Sequence, residues 1–185
     1  WQDSDAGLRI TPYFRWTDMQ FLQHFLPGQP LEENGHRSFG VQSLAQITDY
    51  LRIGIDLEHT RGFLKQTQAG DTQGSPFLVA TLPQGKHYDY EVTANVAAVF
   101  AQFDYPATDR LDLSLGLRGE QVRYDYDNRM IAGRTQDDGT PCGFGGCRYT
   151  RPGDRKDNFT NVSPKAGFSL AFGAQILFGQ VSQGF

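Results

Sequence analysis

The stretch RLDLSLGLRGEQVRYDY, residues 110–126, decides the fold class because its first half alternates between apolar and polar residues. In an extended chain, successive side chains point to opposite faces. One face carries Leu111, Leu113, Leu115 and Leu117, and the other carries Asp112, Ser114, Gly116 and Arg118. This period of two predicts a β-strand that lies between an apolar and a polar environment.

The same alternation recurs along the chain and predicts about seven strands. The other apolar faces consist of Leu8, Ile10, Pro12, Phe14 and Trp16; Phe39, Val41, Ala45 and Ile47; Leu51, Ile53, Ile55 and Leu57; and Phe168, Leu170 and Phe172. Residues 91–105 begin with Val92, Val96 and Phe100 in phase and then shift to Phe103 and Tyr105, which leaves the outward face of that end open. Residues 175–185 are apolar on both faces and equally ambiguous.

The connections between these strands alternate in length. Long ones are predicted at residues 19–35, 62–90 and 127–158, and short ones at 48–50, 106–110 and 173–174. In an up-and-down antiparallel meander, alternate connections lie at the same end, so all the long loops emerge together. Outer-membrane barrels have this asymmetry, with short periplasmic turns and longer extracellular loops. The sequence therefore predicts an all-β fold, an antiparallel up-and-down transmembrane β-barrel segment.

On this interpretation Leu111 to Leu117 face lipid, and the alternate residues face a wet or protein-filled lumen. The phase changes after Leu117, where Val122, Tyr124 and Tyr126 fall in register instead. Either a β-bulge intervenes or the strand has left the membrane there. Tyrosines at that height suit an interfacial girdle, although a simple cross-strand aromatic pair fits as well.

Several classes of protein fit the sequence poorly. The formal net charge of −4 argues against a general nucleic-acid binder. The chain lacks an apolar run of about 18 residues, so no transmembrane helix is predicted. The four histidines, His24, His36, His59 and His87, are scattered, and we expect them to be exposed rather than metal-binding or catalytic. No enzyme activity, metal site or cofactor is predicted, whereas a soluble β-sandwich or lipocalin-like barrel stays open as an alternative.

The two cysteines, Cys142 and Cys147, lie close together in the glycine-rich PCGFGGC, residues 141–147. Such a pair favours a local disulfide formed in an oxidising compartment. A metal site is the competing interpretation, but no nearby histidine or further cysteine completes one.

The charges predicted to face the lumen should pair across strands, because opposite charges on neighbouring strands stabilise each other. They are Arg9, Arg15, Arg52, Asp56, Glu58, Arg118, Glu120 and Lys165. The long loop at 127–158 is the predicted recognition surface. Its candidate ligand-binding residues are Arg134, Arg148, Tyr149 and Arg151, because arginine and tyrosine suit anionic, aromatic ligands.

Three stretches together resemble the TonB-dependent outer-membrane receptors. Residues 98–128 contain an F-x-Q-F-x-Y strand, a short turn and L-x-L-x-x-G-L-R-x-E; FTNVSPKAGFSLAF follows at 159–172, and ILFGQVSQGF at 176–185. The resemblance covers about residues 36–185 and is most specific over 92–185. It implies a fold of about 22 strands whose lumen is plugged by an N-terminal domain.

The resemblance also implies a function and a location. Extracellular loops would capture a scarce nutrient, with a ferric siderophore as the leading expectation, and the TonB energy-coupling protein would drive its import across the outer membrane of a Gram-negative bacterium. Residues 1–185 would form part of a single β-barrel domain. The plug and the remaining strands are expected outside this chain, and Phe185 is expected to be an internal position of the full protein. A passive porin without a plug is the alternative.

Overall fold

The computed structural model describes residues 7–184, so the expectation about Phe185 lies outside the described residues. The described chain is a single antiparallel sheet of seven strands, each paired with its neighbours in sequence order. The strands are β1 Leu8–Leu22, β2 Leu31–Gln46, β3 Leu51–Gln68, β4 Gly85–Thr108, β5 Leu111–Asn128, β6 Arg155–Phe172 and β7 Gln175–Ser182. This topology is the predicted up-and-down meander.

The predicted alternation of long and short connections is confirmed, but the long loops are shorter than expected. They span residues 23–30, 69–84 and 129–154, because paired strands extend well into the predicted loop regions. The second loop also contains a short helix, α1 Pro76–Thr81, which the sequence analysis missed. Ser75 caps this helix by accepting a hydrogen bond from the Leu78 amide, and Pro76 occupies its first turn, where a missing N–H costs nothing. Within the described residues, no helix is long and apolar enough to cross a membrane.

One face of the sheet carries an uncovered apolar band, which we call the outer face. Phe14 is 66% exposed and Leu115 is 56% exposed, and no second sheet packs on them within residues 7–184. The predicted apolar faces of β1, β2, β3, β5 and β6 all lie on this side. The soluble β-sandwich is therefore wrong, because its core would have to cover this band.

The band ends at a polar boundary on the loop side. Phe39 on β2 pairs with His59 on β3, and the same row continues through Asn95, Arg123 and Asn158 on the next three strands. Below that row the outer positions are mainly apolar. Leu111 to Leu117 span most of the nine to eleven residues that a tilted strand needs, roughly, to cross a bilayer.

The structure settles the strand phases that the sequence left open. β5 pairs with β4 and β6 without a register shift after Leu117, which excludes a β-bulge, one of the two alternatives considered there. Val122, Tyr124 and Tyr126 simply continue the inner face that carries Arg118. β4 also keeps its phase, so Val92, Val96 and Phe100 face inward, whereas Phe103 and Tyr105 face outward.

Aromatic rings mark the short-turn edge of the band. Tyr50 lies edge-on to Phe103 and to Tyr105, with ring centroids 6.5 and 5.6 Å apart, and Phe103 stacks on Tyr105 at 5.8 Å. Aromatic girdles of this kind occupy the interfaces of membrane barrels.

Four aromatic rings lie across glycines directly opposite them on the next strand. The pairs are Tyr13 with Gly40, Phe100 with Gly54, Phe63 with Gly35, and Phe168 with Gly179. A ring covers the backbone that a glycine leaves bare, and glycine leaves room for the ring. These glycines are therefore packing positions.

Replacing Gly54 with alanine tests this packing. Its added Cβ would lie 2.2 Å from Cζ of Phe100 and 2.4 Å from the backbone oxygen of Ser43. We expect Gly54→Ala to lower the free energy of unfolding of the detergent-solubilised protein by about 1–3 kcal/mol. Gly119→Ala is the control, because its Cβ would meet only a Val99 methyl at 3.9 Å. Equal urea midpoints for both variants would contradict the assignment of Gly54 as a packing position under Phe100.

Candidate functional site

The inner face of the sheet is held together by ion pairs that cross more than one strand. Arg118 on β5 reaches over β4 to Asp56 on β3 at 2.6 Å and binds Glu120 on its own strand at 2.7 Å. Between Asp56 and Glu120 in the register lies Ala98, whose small side chain is almost completely covered. A larger side chain there would stand in the path of the arginine.

A second network starts on β1 and uses a glycine in the same way. Tyr13, Gly40 and Glu58 lie opposite one another on β1, β2 and β3, and the tyrosine hydroxyl donates to the Glu58 carboxylate across the glycine. Arg15 donates to the same carboxylate at 2.6 Å, and Thr60 donates to its other oxygen at 2.8 Å. Glu58 thus ties three strands together.

The prediction of cross-strand pairing is confirmed for Arg15, Arg52, Asp56, Glu58 and Arg118, whereas Glu120 pairs on its own strand. Arg52 does not pair with Asp56 on its own strand but donates to Asp104 on β4. Two predicted members, Arg9 and Lys165, instead line an open cavity of about 600 Å³ to which both β1 and β6 contribute. The inner face is therefore concave, as the wall of a lumen must be.

Above this charged belt, toward the long loops, the inner face is lined by aromatic rings. Tyr90 packs on Tyr126 with centroids 4.9 Å apart, and Tyr124 lies edge-on to Phe159 at 6.1 Å. The interpretation of Tyr124 and Tyr126 as a lipid-interface girdle is therefore wrong, because both share the face of Arg118. They form an aromatic wall at the mouth of the lumen.

The second and third long loops fold together into one unit, which we call the loop module: residues 69–84 and 129–154. Backbone hydrogen bonds join them, from Gly143 N to Ala80 O at 3.1 Å and from Arg148 N to Thr81 O at 3.0 Å. A small core lies between the loops and contains Cys142, Cys147 and Tyr149, packed against Leu82 and Tyr88. The loops are thus folded against each other and against the end of β4.

Cys142 and Cys147 form the predicted disulfide, with Cα atoms 4.9 Å apart. The competing metal site is excluded, because the bond consumes both thiols. The closed ring contains three successive residues with positive φ, Phe144, Gly145 and Gly146. Glycine adopts this conformation freely, but for Phe144, at φ +53°, it costs about 1–2 kcal/mol. The tight ring thereby holds an aromatic side chain outward, 69% exposed.

Of the four residues predicted to bind ligand, two are buried inside the loop module. Arg151 is 1% exposed, and its guanidinium donates to the carbonyl oxygens of Ile131 and Thr135, both at 2.7 Å, and of Gln136 at 3.0 Å. Tyr149 is 6% exposed and lies under the Arg151 guanidinium. Both residues therefore hold the module together.

The other two predicted residues remain at the surface. Arg134 donates through Nε to the Cys147 carbonyl at 2.9 Å, and Arg148 lies over the ring of Phe77 at 5.7 Å. Phe77 in turn packs edge-on against Phe144 at 5.3 Å. We call Phe77, Phe144 and Arg148 the loop-tip patch. Neither phenylalanine was among the predicted site residues, although the position of Phe144 between glycines in PCGFGGC is a signal of exposure.

His87 is buried, so the expectation that all four histidines are exposed is wrong for this residue. Its ring is 3% exposed, stacks on Tyr149 with centroids 4.3 Å apart and lies 2.8 Å from the Pro83 carbonyl oxygen through Nε2. Burial, together with the nearby positive charge of Arg151, lowers its pKa, although Pro83 and Asp137 act in the opposite direction. His87 is therefore held neutral in the module.

An open antiparallel meander with an apolar outer face, a paired charged inner face and all long loops at one end is the wall of an outer-membrane barrel. The sequence matches the family model "TonB dependent receptor-like, beta-barrel" over residues 1–185, and the chain belongs to that family. No curated protein matched the sequence significantly.

Membership of this family gives the general function and location. TonB-dependent receptors are transporters rather than enzymes, and they act in the outer membrane of Gram-negative bacteria. The chain is therefore part of an outer-membrane active-transport receptor, and the alternative of a passive porin is disfavoured.

Arg151→Gln should loosen the loop module without disturbing the barrel wall. The substitution leaves several buried carbonyl groups without their donor, which costs about 1–3 kcal/mol. Hydrogen exchange of peptides from residues 129–154 in the intact receptor should become at least tenfold faster, and exchange in β3 should stay unchanged. Arg123→Gln, an exposed arginine on β5, is the control. Equal protection in the two variants would show that Arg151 does not organise the loops.

The loop module should also lose stability in mild acid because of His87. Its folded pKa lies below the ordinary 6.5, so the contribution to stability is complete above that pH and declines as pH falls through the lower folded value. We expect faster hydrogen exchange in residues 129–154 at about pH 5 than at about pH 7.5, after correction for intrinsic rates. His87→Gln should remove this dependence, and its persistence in that variant would assign it to another group.

Proposed function

We propose that this chain is part of a receptor that imports a ferric siderophore, with the loop-tip patch making the first contact. The supporting observation is the juxtaposition of Phe77, Phe144 and Arg148 at the surface of a loop module stiffened by a disulfide. Phe77 is 43% exposed and Phe144 69% exposed, so both rings present area to an incoming ligand. Arginine beside aromatic rings suits an anionic chelate that carries aromatic groups.

The aromatic wall below the patch supports a path for such a ligand into the lumen. Tyr90, Tyr126 and Tyr124 lie on the inner face between the loop module and the charged belt of Arg118 and Asp56. A flat chelate can stack on these rings as it leaves the loops. Of the four residues first predicted to bind ligand, Arg148 and Arg134 are available for direct contact, whereas Tyr149 and Arg151 act by positioning the loops.

The energy for import comes, on this proposal, from TonB acting on a plug domain. The chain is one part of a single β-barrel domain of about 22 strands, and the plug and the other strands lie elsewhere in the protein. An open sheet of seven strands is compatible with such a part, since its edges at β1 and β7 need further strands to pair.

Uptake of radiolabelled ferric siderophores by iron-limited cells tests the proposal. Cells that express the intact receptor should accumulate one class of ferric siderophore, and deletion of TonB should abolish uptake while surface binding persists. Accumulation that continues without TonB would indicate a passive channel. Binding of haem, cobalamin or a sugar in place of every siderophore would overturn the ligand class.

Arg148→Gln should weaken binding of the captured siderophore about ten- to a hundredfold, because a hydrogen bond to a charged group contributes about 1.5–3 kcal/mol. The double variant Phe77→Ala/Phe144→Ala should also weaken binding of the siderophore. Arg110→Gln removes the same charge from the short turn between β4 and β5 and should bind normally. An unchanged dissociation constant for both loop-tip variants would exclude the patch from ligand capture.

A further inference from the structure

Two arginines face each other on the outer face, just above the apolar band. Arg37 on β2 lies directly opposite Arg61 on β3, one outer row above the pair of Phe39 and His59. Both side chains are exposed, Arg61 by 70%. Like charges directly opposite on neighbouring strands destabilise a sheet. This arrangement therefore calls for an anion between or above them.

The protein itself supplies too little negative charge at this point. Arg61 approaches the Glu91 carboxylate only to 3.8 Å, and the same carboxylate already binds Arg129 at 2.6 Å. Within residues 7–184, Arg37 has no carboxylate oxygen within the 4.0 Å of an ion pair, although Asp18 lines the same cavity. Within the described strands, Arg37 is therefore unpaired, and Arg61 shares its carboxylate partner with Arg129.

The two arginines line a cavity of about 350 Å³ whose walls include Trp16 and Phe63. The ring of Phe63 lies over Gly35, and because glycine has no side chain the space between β2 and β3 is not filled at this point. Immediately below, toward the short turns, Phe14 and Phe39 begin the lipid-facing band. The cavity therefore opens sideways at the height where hydrocarbon gives way to headgroups.

We propose that Arg37 and Arg61 bind the phosphate of an anionic lipid from the outer leaflet. Guanidinium groups match phosphate oxygens in a forked, bidentate geometry and lose less hydration than ammonium groups do. Trp16 is suited to the membrane interface because its ring tolerates both lipid and water. A lipid is favoured over free phosphate because its acyl chains can continue along Phe14 and Phe39. A soluble anion makes no apolar contact with these residues.

The test titrates the intact, detergent-solubilised receptor with phosphatidic acid and with diacylglycerol, which carries the same acyl chains without the phosphate. Bound lipid is counted by native mass spectrometry. Phosphatidic acid should bind and diacylglycerol should not. In the double variant Arg37→Gln/Arg61→Gln the affinity for phosphatidic acid should fall at least tenfold. Equal binding of the two lipids to the wild-type receptor would overturn the proposal.

Lys156→Gln is the matched control, because Lys156 is an outer-facing cation in the same cross-strand row but is neutralised by Asp125 at 2.9 Å. Its affinity for phosphatidic acid should stay within twofold of wild type. The double variant Arg37→Lys/Arg61→Lys keeps the charge without the fork and should bind with intermediate affinity. Unaltered affinity in the glutamine variant would refute the site, as would displacement of the lipid by millimolar inorganic phosphate.

Discussion

The absence of water in the hydrocarbon core is the constraint on which this structure depends. A backbone amide or carbonyl without a partner there costs several kcal/mol, so a spanning chain must pair all of them. The five antiparallel ladders that join β1 to β6 do this across most of the apolar band, and β7 adds a shorter ladder along the short-turn half of β6. Only two register shifts occur among the described strands, near Gln66 on the loop side of β3 and near Pro106 on β4, at the short-turn edge of the band.

The same constraint sorts the side chains and makes the inner face polar. Because every second residue must face lipid, the remaining half of each strand is free to carry charge. Charges on a concave face lie close together, and here they bridge two strands at a time: Arg118 to Asp56 over Ala98, and Tyr13 to Glu58 over Gly40. A small central residue is the condition for each bridge. The small residues Ala98 and Gly40 on the inner face thus allow these side chains to meet across an intervening strand.

The sequence predicted the features that depend on local periodicity. The outward face of β5 and the sorting of loops follow from alternation and from segment lengths, and the disulfide follows from the short spacing of Cys142 and Cys147. The predictions from sequence were wrong where contacts between residues distant in the chain determine the structure. The apparent phase change after Leu117 reflected Val122 and Tyr124 on the inner face, where the lumen wall turns from charged to aromatic. A pattern rule that equates apolar with lipid-facing cannot recognise this.

The loops show the same limit, because their residues were judged by type rather than by contact. Arginine is common in anion-binding sites, yet Arg151 donates to three carbonyl oxygens of its own loop and to that of His87, and it is almost completely buried. His87 was expected in solvent and lies in the module core. The first case depends on how residues 129–154 fold back on themselves, and the second on the packing of that loop against the start of β4; no short-range pattern encodes either contact.

A stiff loop module has an energetic consequence for capture. A receptor that orders flexible loops on binding loses about 0.5–1.5 kcal/mol for each side chain that it immobilises. Here the disulfide, the Arg151 hydrogen bonds and the stacked His87 and Tyr149 have already met that cost during folding, and the strained φ of Phe144 shows that the ring imposes its conformation. The exposed rings of Phe77 and Phe144 therefore keep their separation before a ligand arrives. On the proposed function, binding energy gained at the loop tip is then available to draw the ligand toward the tyrosines of the inner wall.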